Sequence, residues 1–270
     1  MRQKLYLLFC FLFLTLYCTS QTISPYDIKK LIQNGVAVRI GTPLKTYEIT
    51  SIIGENPKLV TVIADGYKSY EITSFLNEGA KVIVGQPFKT YEITSFLNTN
   101  GANVTVIAEG FKSYEITSFL NDGAKVVVGQ PFKTYEISSF LNTNSKAVTV
   151  IAEGFKSYEI TSFLNDGARV IVDQTFKTYE ITSFLSTNKK AIIVIGDGFK
   201  TYEITSFLND GAKVVVGQPF KTYEITSFIN TNKAAVIVIG DGYPSYELQS
   251  FINSGANIIA SATTLNKIVF

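Results

Sequence analysis

The sequence predicts an α/β repeat protein, a right-handed βα solenoid of about eleven half-repeats with one parallel sheet and one layer of helices. Three observations carry this. A tyrosine followed by an acid and then Ile or Leu recurs at Tyr26, Tyr47, Tyr70, Tyr91, Tyr114, Tyr135, Tyr158, Tyr179, Tyr202, Tyr223 and Tyr246, with spacings that alternate between 21 and 23. A β-branched run precedes nearly every tyrosine, and an amphipathic stretch of about eight residues follows it. The chain has 270 residues, 46% of them apolar and 17% charged, which is enough for a sizeable core and too apolar for wholesale disorder.

The first element is a leader. Arg2 and Lys4 precede an apolar run from Leu5 to Tyr17, and Cys18-Thr19-Ser20 sets small residues before a cut at Gln21. This predicts a secretory signal peptide over residues 1–20 and a secreted or cell-surface protein. The run is shorter than the roughly 20 residues a membrane-spanning helix needs. Removing it takes away Cys10 and Cys18 and leaves 22 basic residues against 22 acidic ones. That balance favours neither nucleic acid nor an anionic membrane as partner.

Residues 21–270 read as a single βα-repeat domain. A helical cap over 24–35 opens it, where Tyr26–Ile32 is a more polar copy of the repeated helix. Superrepeats of 44 residues follow, and a strand cap over 256–270 closes it, with Asn257–Ser261 repeating the strand. Within a half-unit, Val104–Ala108 or Val126–Gly129 reads as a short strand. The turn after it is Glu109-Gly110 in one type and Gln130-Pro131 in the other. Ser113 or Thr134 stands where a helix N-cap belongs, with Glu115 or Glu136 beside the positive helix end. Ile116, Phe119 and Leu120 share the buried face of the helix, with Tyr114, Ser118 and Asn121 opposite. Asp122-Gly123 ends it, and in the longer half-unit Asn100, Asn144, Asn188 and Asn232 are expected to take the left-handed conformation. Strand, turn and helix in so few residues force parallel strands joined by right-handed crossovers.

The layout is similar to that of leucine-rich repeats, without their leucine framework or asparagine ladder. Strands such as Val126-Val127-Val128, Ile192–Ile195 and Val236–Ile239 are apolar throughout, the pattern of a sheet covered on both faces. Relief comes from Lys81, Lys125, Arg169 and Lys213 in one half-unit and from Thr61, Thr105 and Thr149 in the other. Strands about 4.8 Å apart beneath helices about 9–10 Å apart curve the stack by roughly 25–30° per unit, so eleven units sweep most of a circle. The expectation is an open or nearly closed solenoid, since valines are small for filling so wide a lumen. The alternative is a closed βα ring.

For function, the absence of His and the loss of both cysteines exclude catalysis by those residues and soft-metal sites. Lys112-Ser113 recurs as Lys-Ser or Lys-Thr along the repeats, and no copy stands out, so no catalytic residue, metal or cofactor is expected. A ladder of acids and amides lies five residues before each tyrosine: Asp65, Gln86, Glu109, Gln130, Glu153, Gln174, Asp197, Gln218 and Asp241. It marks the C-terminal ends of the strands, where α/β proteins gather ligands, and its groups suit sugar hydroxyls or calcium. Tyr70, Tyr91, Tyr114, Tyr135, Tyr158, Tyr179, Tyr202 and Tyr223 form a second candidate surface. Stacked neighbours are expected to exchange ion pairs between the Lys and Glu that flank each Tyr. The sequence thus points to a secreted, non-enzymatic module that binds an extracellular protein or glycan. The alternative is a structural protein that self-associates through its apolar sheet face or its sheet edges.

Overall fold

A computed structural model describes residues 24–240 and 242–261 of the chain. The expected signal peptide, the ladder residue Asp241 and the last nine residues of the strand cap lie outside the described residues. Eleven helices alternate with eleven strands. The first half runs α1 (Pro25–Gln33), β1 (Val38–Ile40), α2 (Thr46–Ile53), β2 (Val60–Ile63), α3 (Ser69–Asn77), β3 (Lys81–Val84), α4 (Thr90–Asn100), β4 (Val104–Ile107), α5 (Ser113–Asn121) and β5 (Lys125–Val128). The second half runs α6 (Thr134–Asn144), β6 (Val148–Ile151), α7 (Ser157–Asn165), β7 (Arg169–Val172), α8 (Thr178–Asn188), β8 (Ile192–Ile195), α9 (Thr201–Asn209), β9 (Lys213–Val216), α10 (Thr222–Asn232), β10 (Val236–Ile239), α11 (Ser245–Asn253) and β11 (Asn257–Ser261).

Every strand pairs in parallel with its sequence neighbours, and β1 also pairs with β11, Val38 opposite Ala260. The sheet is therefore a closed barrel. The repeated βα unit is as expected, and of the two arrangements open to it the ring is the one adopted. Closure removes both strand edges at once.

The helix-side core explains the regularity. Val104 and Val106 point outward from the sheet with no measurable exposure, against Ile116, Phe119 and Leu120 of the helix. A phenylalanine from the strand-to-helix turn meets the helix phenylalanine edge to face, as in Phe111 with Phe119 at 5.4 Å between centroids and 87° between planes. The same pair recurs from Tyr67–Phe75 to Tyr243–Phe251. Where tyrosine replaces the first ring, its hydroxyl donates to a carbonyl of the preceding unit: Tyr67 to Leu44 and Tyr243 to Phe220, both at 2.6 Å.

The caps differ from expectation in an informative way. The N-cap is the lysine before the expected Ser or Thr, in extended conformation, as at Lys112 with φ −86 and ψ 156. Its backbone N–H donates to Glu115 Oε2 at 2.8 Å. That frees the hydroxyl of Ser113 to donate to Glu136 of the next unit, and Thr90 likewise donates to Glu115. A hydroxyl-to-glutamate ladder thus links successive units where Lys–Glu ion pairs were expected. Lys29 and Glu55 do form an ion pair between units, at 3.5 Å. Gly123 takes the expected left-handed conformation, φ +90, behind a C-cap at Asp122. Asn100, Asn144 and Asn188 do not. The longer half-units use their two extra residues to lengthen the helix, and these asparagines then turn extended (φ −163, −161 and −157) into a 3-10 turn. Asn232, the fourth of this set, has no left-handed backbone either.

Candidate functional site

The inward side of the strands builds the site. Register sets its layers: Lys81 lies opposite Thr61, Thr105 lies between Ile83 and Lys125, and Thr149 between Val127 and Arg169. Each pair of strands therefore steps the register by two residues, so alternate strands contribute to each layer of the lumen. At the N-terminal end of the strands stand Lys81, Lys125, Arg169 and Lys213, interleaved with Thr61, Thr105 and Thr149. Above them runs an apolar belt of Ile83, Val127, Ile171 and Val215 from the odd strands and Ile63, Ile107, Ile151, Ile195 and Ile239 from the even ones. The belt is unevenly packed. Ile171, Ile193 and Val215 are 2–5% exposed and form their own small cluster, whereas Ile63, Ile83 and Ile107 remain half-buried. The ring closes without filling.

Beyond the belt, closure gathers the strand-end ladder around one mouth. Asp65, Gln86, Glu109, Gln130, Glu153, Gln174, Asp197 and Gln218 are all exposed there. A cavity of ≈450 Å³ is lined by Asp65, Gln86 and Glu109 over Ile63, Ile83 and Ile107. A second, of ≈580 Å³, brings Glu109, Gln130, Glu153 and Asp173 together above Ile107, Ile151, Ile171 and Ile195. Two of the amides also serve the turns, for Gln86 and Gln130 each direct Nε2 at a carbonyl of the next unit, Gly110 and Gly154, at 3.5 Å. The structure brings neighbouring ladder residues to shared cavities and spreads the rest around the rim.

The sequence reading missed Asp173. It stands where the equivalent half-units have Gly85, Gly129 and Gly217, in the triplet Asp173-Gln174-Thr175 in place of Gly-Gln-Pro. A Cβ at those glycines would lie 3.1–3.2 Å from the Cβ of the neighbouring isoleucine, a crowded approach. Asp173 carries a side chain at that position, and its carboxylate accepts hydrogen bonds from Thr175 N at 3.0 Å and Thr175 Oγ1 at 2.6 Å. Aligning the repeats with one another exposes this departure, which a count of ladder positions does not.

The tyrosines lie on the outer rim of the same face, in the first turns of the helices. They do not lie flat against neighbouring helices. Tyr70 to Tyr223 are each 67–69% exposed, and Lys112 Nζ, for example, sits 5.9 Å from the centroid of the Tyr114 ring. Among the described residues no group of three or more His, Cys, Asp or Glu is placed to hold a metal ion.

No protein-family model matches the chain, and no curated protein does. Solved structures do match. A protein of Burkholderia cenocepacia J2315 described as a phosphonomutase is 13% identical over 58% of this chain and 86% of its own, with a TM-score of 0.33. A native KDPGal structure is 12% identical over 64% of this chain and 89% of its own, at 0.38. A protein of Coccidioides immitis in the dihydrodipicolinate synthase family is 14% identical over 64% of this chain and 59% of its own, at 0.36.

The closed ring corrects the functional expectation of an extracellular binding module with a protein or glycan partner. The apolar sheet face expected to seek a partner lines the lumen, and the edges expected to build filaments are paired with each other. The ladder surrounds cavities where it was expected to run along an open surface. The non-enzymatic reading and its self-associating alternative both fall with the open solenoid.

Proposed function

We propose that the C-terminal mouth of the barrel is an active site for proton-transfer chemistry on a small molecule, with Glu153 and Asp173 as the working carboxylates. The observation that carries this is the cavity of ≈580 Å³ in which Glu109, Glu153 and Asp173 converge over an isoleucine floor. Pockets of this size and make-up, apolar beneath with a few convergent polar groups, suit a small ligand. Parallel barrels place their chemistry at this end of the strands. The ligand lays its carbon skeleton on Ile107, Ile151, Ile171 and Ile195 and turns hydroxyl or carbonyl groups towards Gln130 and the acids. One carboxylate removes a proton and a neighbour returns one, a division of labour that paired carboxylates allow. Asp173 adds to this cavity a carboxylate where the equivalent half-units have Gly85, Gly129 and Gly217.

The test is hydrogen–deuterium exchange at carbon, followed by proton NMR in D2O with pyruvate, dihydroxyacetone and ribose as probes. The expected result is catalysed exchange for at least one probe, reduced tenfold or more in Asp173→Gly and in Glu153→Gln with the melting temperature unchanged. Absence of exchange with all three, or undiminished exchange in the double variant, overturns the reading.

A further inference from the structure

The two cavities at the C-terminal mouth share one sign of charge. The larger is lined by Glu109, Glu153 and Asp173, and the smaller by Asp65 and Glu109. Among the described residues no lysine or arginine lines either of them. Lysines of this end stand elsewhere. Nζ of Lys112, Lys156 and Lys177 lies 5.9 Å from the ring centroids of Tyr114, Tyr158 and Tyr179, which are exposed on the outer rim. A cleft that carries one sign of charge over low-dielectric walls concentrates the opposite sign from solution.

The charge is densest on one side of the larger cavity. Glu153 follows β6 and Asp173 follows β7, paired strands about 4.8 Å apart. Both hydrogen bonds from Thr175 reach Oδ1 of Asp173, and Oδ2 has no hydrogen-bond partner among the described residues. The Glu153 carboxylate likewise forms no hydrogen bond or ion pair among them. Beneath both acids Ile107, Ile151, Ile171 and Ile195 make an apolar floor. Two open carboxylates above such a floor complement a cation with a hydrocarbon body. No group of three acids among the described residues is placed to hold a metal ion, so the matching cation is an organic one. We propose that this cavity takes a primary ammonium on a short aliphatic skeleton, its head between Glu153 and Asp173 and its chain on the isoleucine floor. An ammonium has three N–H donors, enough to serve both acids at once. The inference rests on the reading of this cavity as a small-molecule site and names the class of molecule it admits. Anionic compounds of the same size are turned away, which makes pyruvate the poorest of the exchange probes.

Calorimetric titration with hexylammonium chloride, 1-hexanol and sodium hexanoate tests this, because the three share a skeleton and differ in charge. The native chain is expected to bind hexylammonium at least tenfold more tightly than hexanoate, and more tightly than hexanol. Glu153→Gln and Asp173→Asn remove charge and keep side-chain volume. Each is expected to weaken hexylammonium at least threefold and to leave hexanol unchanged. Asp122→Asn, at the opposite end of α5, is expected to change neither, which separates the cavity from loose pairing with surface acids. Should a cavity variant not fold, high salt gives the same reading on the native chain, by weakening hexylammonium and sparing hexanol. No binding of hexylammonium, hexanoate bound as tightly, hexylammonium undiminished in the double variant, or an equal loss in Asp122→Asn would each overturn the inference. Exchange at carbon remains the separate test of catalysis. A preference for hexylammonium without exchange on any probe would sustain this inference and overturn the catalytic reading alone.

Discussion

On the outer face of the sheet Val104, Val106, Phe119 and Ile116 are wholly buried, and their counterparts repeat unit after unit with almost no variation. On the inner face of the same strands Thr105 and Ile107 are only half-covered, and the repeat is broken there by Arg39 and Asp173. The backbone is common to both faces, so the difference lies in what each must do. The outer face joins every unit to its helix and tolerates no change of volume. The inner face is held by ring closure and a partly open belt, which leaves single positions free to depart from the repeat.

The largest expected effect tests the outer face. Phe119→Ala removes a fully buried ring and its edge-to-face partner contact with Phe111, and should cost about 3–5 kcal/mol by urea unfolding. The inner counterpart, Ile107→Ala, should cost only about 1 kcal/mol, because part of that side chain already meets solvent. Equal costs would erase the distinction between the faces.

Between these lies a collective effect of pH. Hydrogen bonds from the backbone of the N-cap lysine first, then from the previous unit's hydroxyl, hold Glu71, Glu115, Glu136 and Glu159 below their ordinary value of 4.5. The same two donors, hydroxyl first, do so for Glu92, Glu180, Glu203 and Glu224. A carboxylate whose folded value is depressed stabilises the fold above its unfolded value, and that stability is lost as pH falls through the folded value. The melting temperature should therefore be level above about pH 5 and drop steadily below about pH 4.5. A melt that stays level to pH 3 would mean that the ladder contributes nothing. The smallest expected effect is Asp173→Gly, which restores the glycine of the equivalent half-units and should leave stability within about 0.5 kcal/mol of the native chain. A large loss there would mean that Asp173 is structural, and the contrast between a functional inner face and a structural outer one would fail at that point.

Much of this was legible in one dimension. The tyrosine spacing locates all eleven helices, and the β-branched runs locate the strands. The triad Ile116, Phe119 and Leu120 names the buried face, because burial against a helix follows a fixed angular period. Gly123 was legible because its left-handed backbone suits glycine. The N-cap was not, since Ser113 satisfies the local preference and only the stacked neighbour offers Glu136 as a better acceptor. Nor were the extended asparagines, whose two extra residues could lengthen a helix or loosen a turn equally well. The ladder's residues were legible as a pattern, but their convergence was not, because strand-end positions spread along an open stack and meet only around a ring.

By itself, then, the sequence determined the repeating unit, its parallel layering and which face of each helix is buried. These depend on residues close together in the chain and on periods of two and 3.6. Tertiary structure alone decided that the sheet closes, that the apolar inner face is a lumen, and that Glu109, Glu153 and Asp173 share a cavity. Each depends on the summed curvature of eleven units, where a few degrees in each decides whether β1 reaches β11 or faces water.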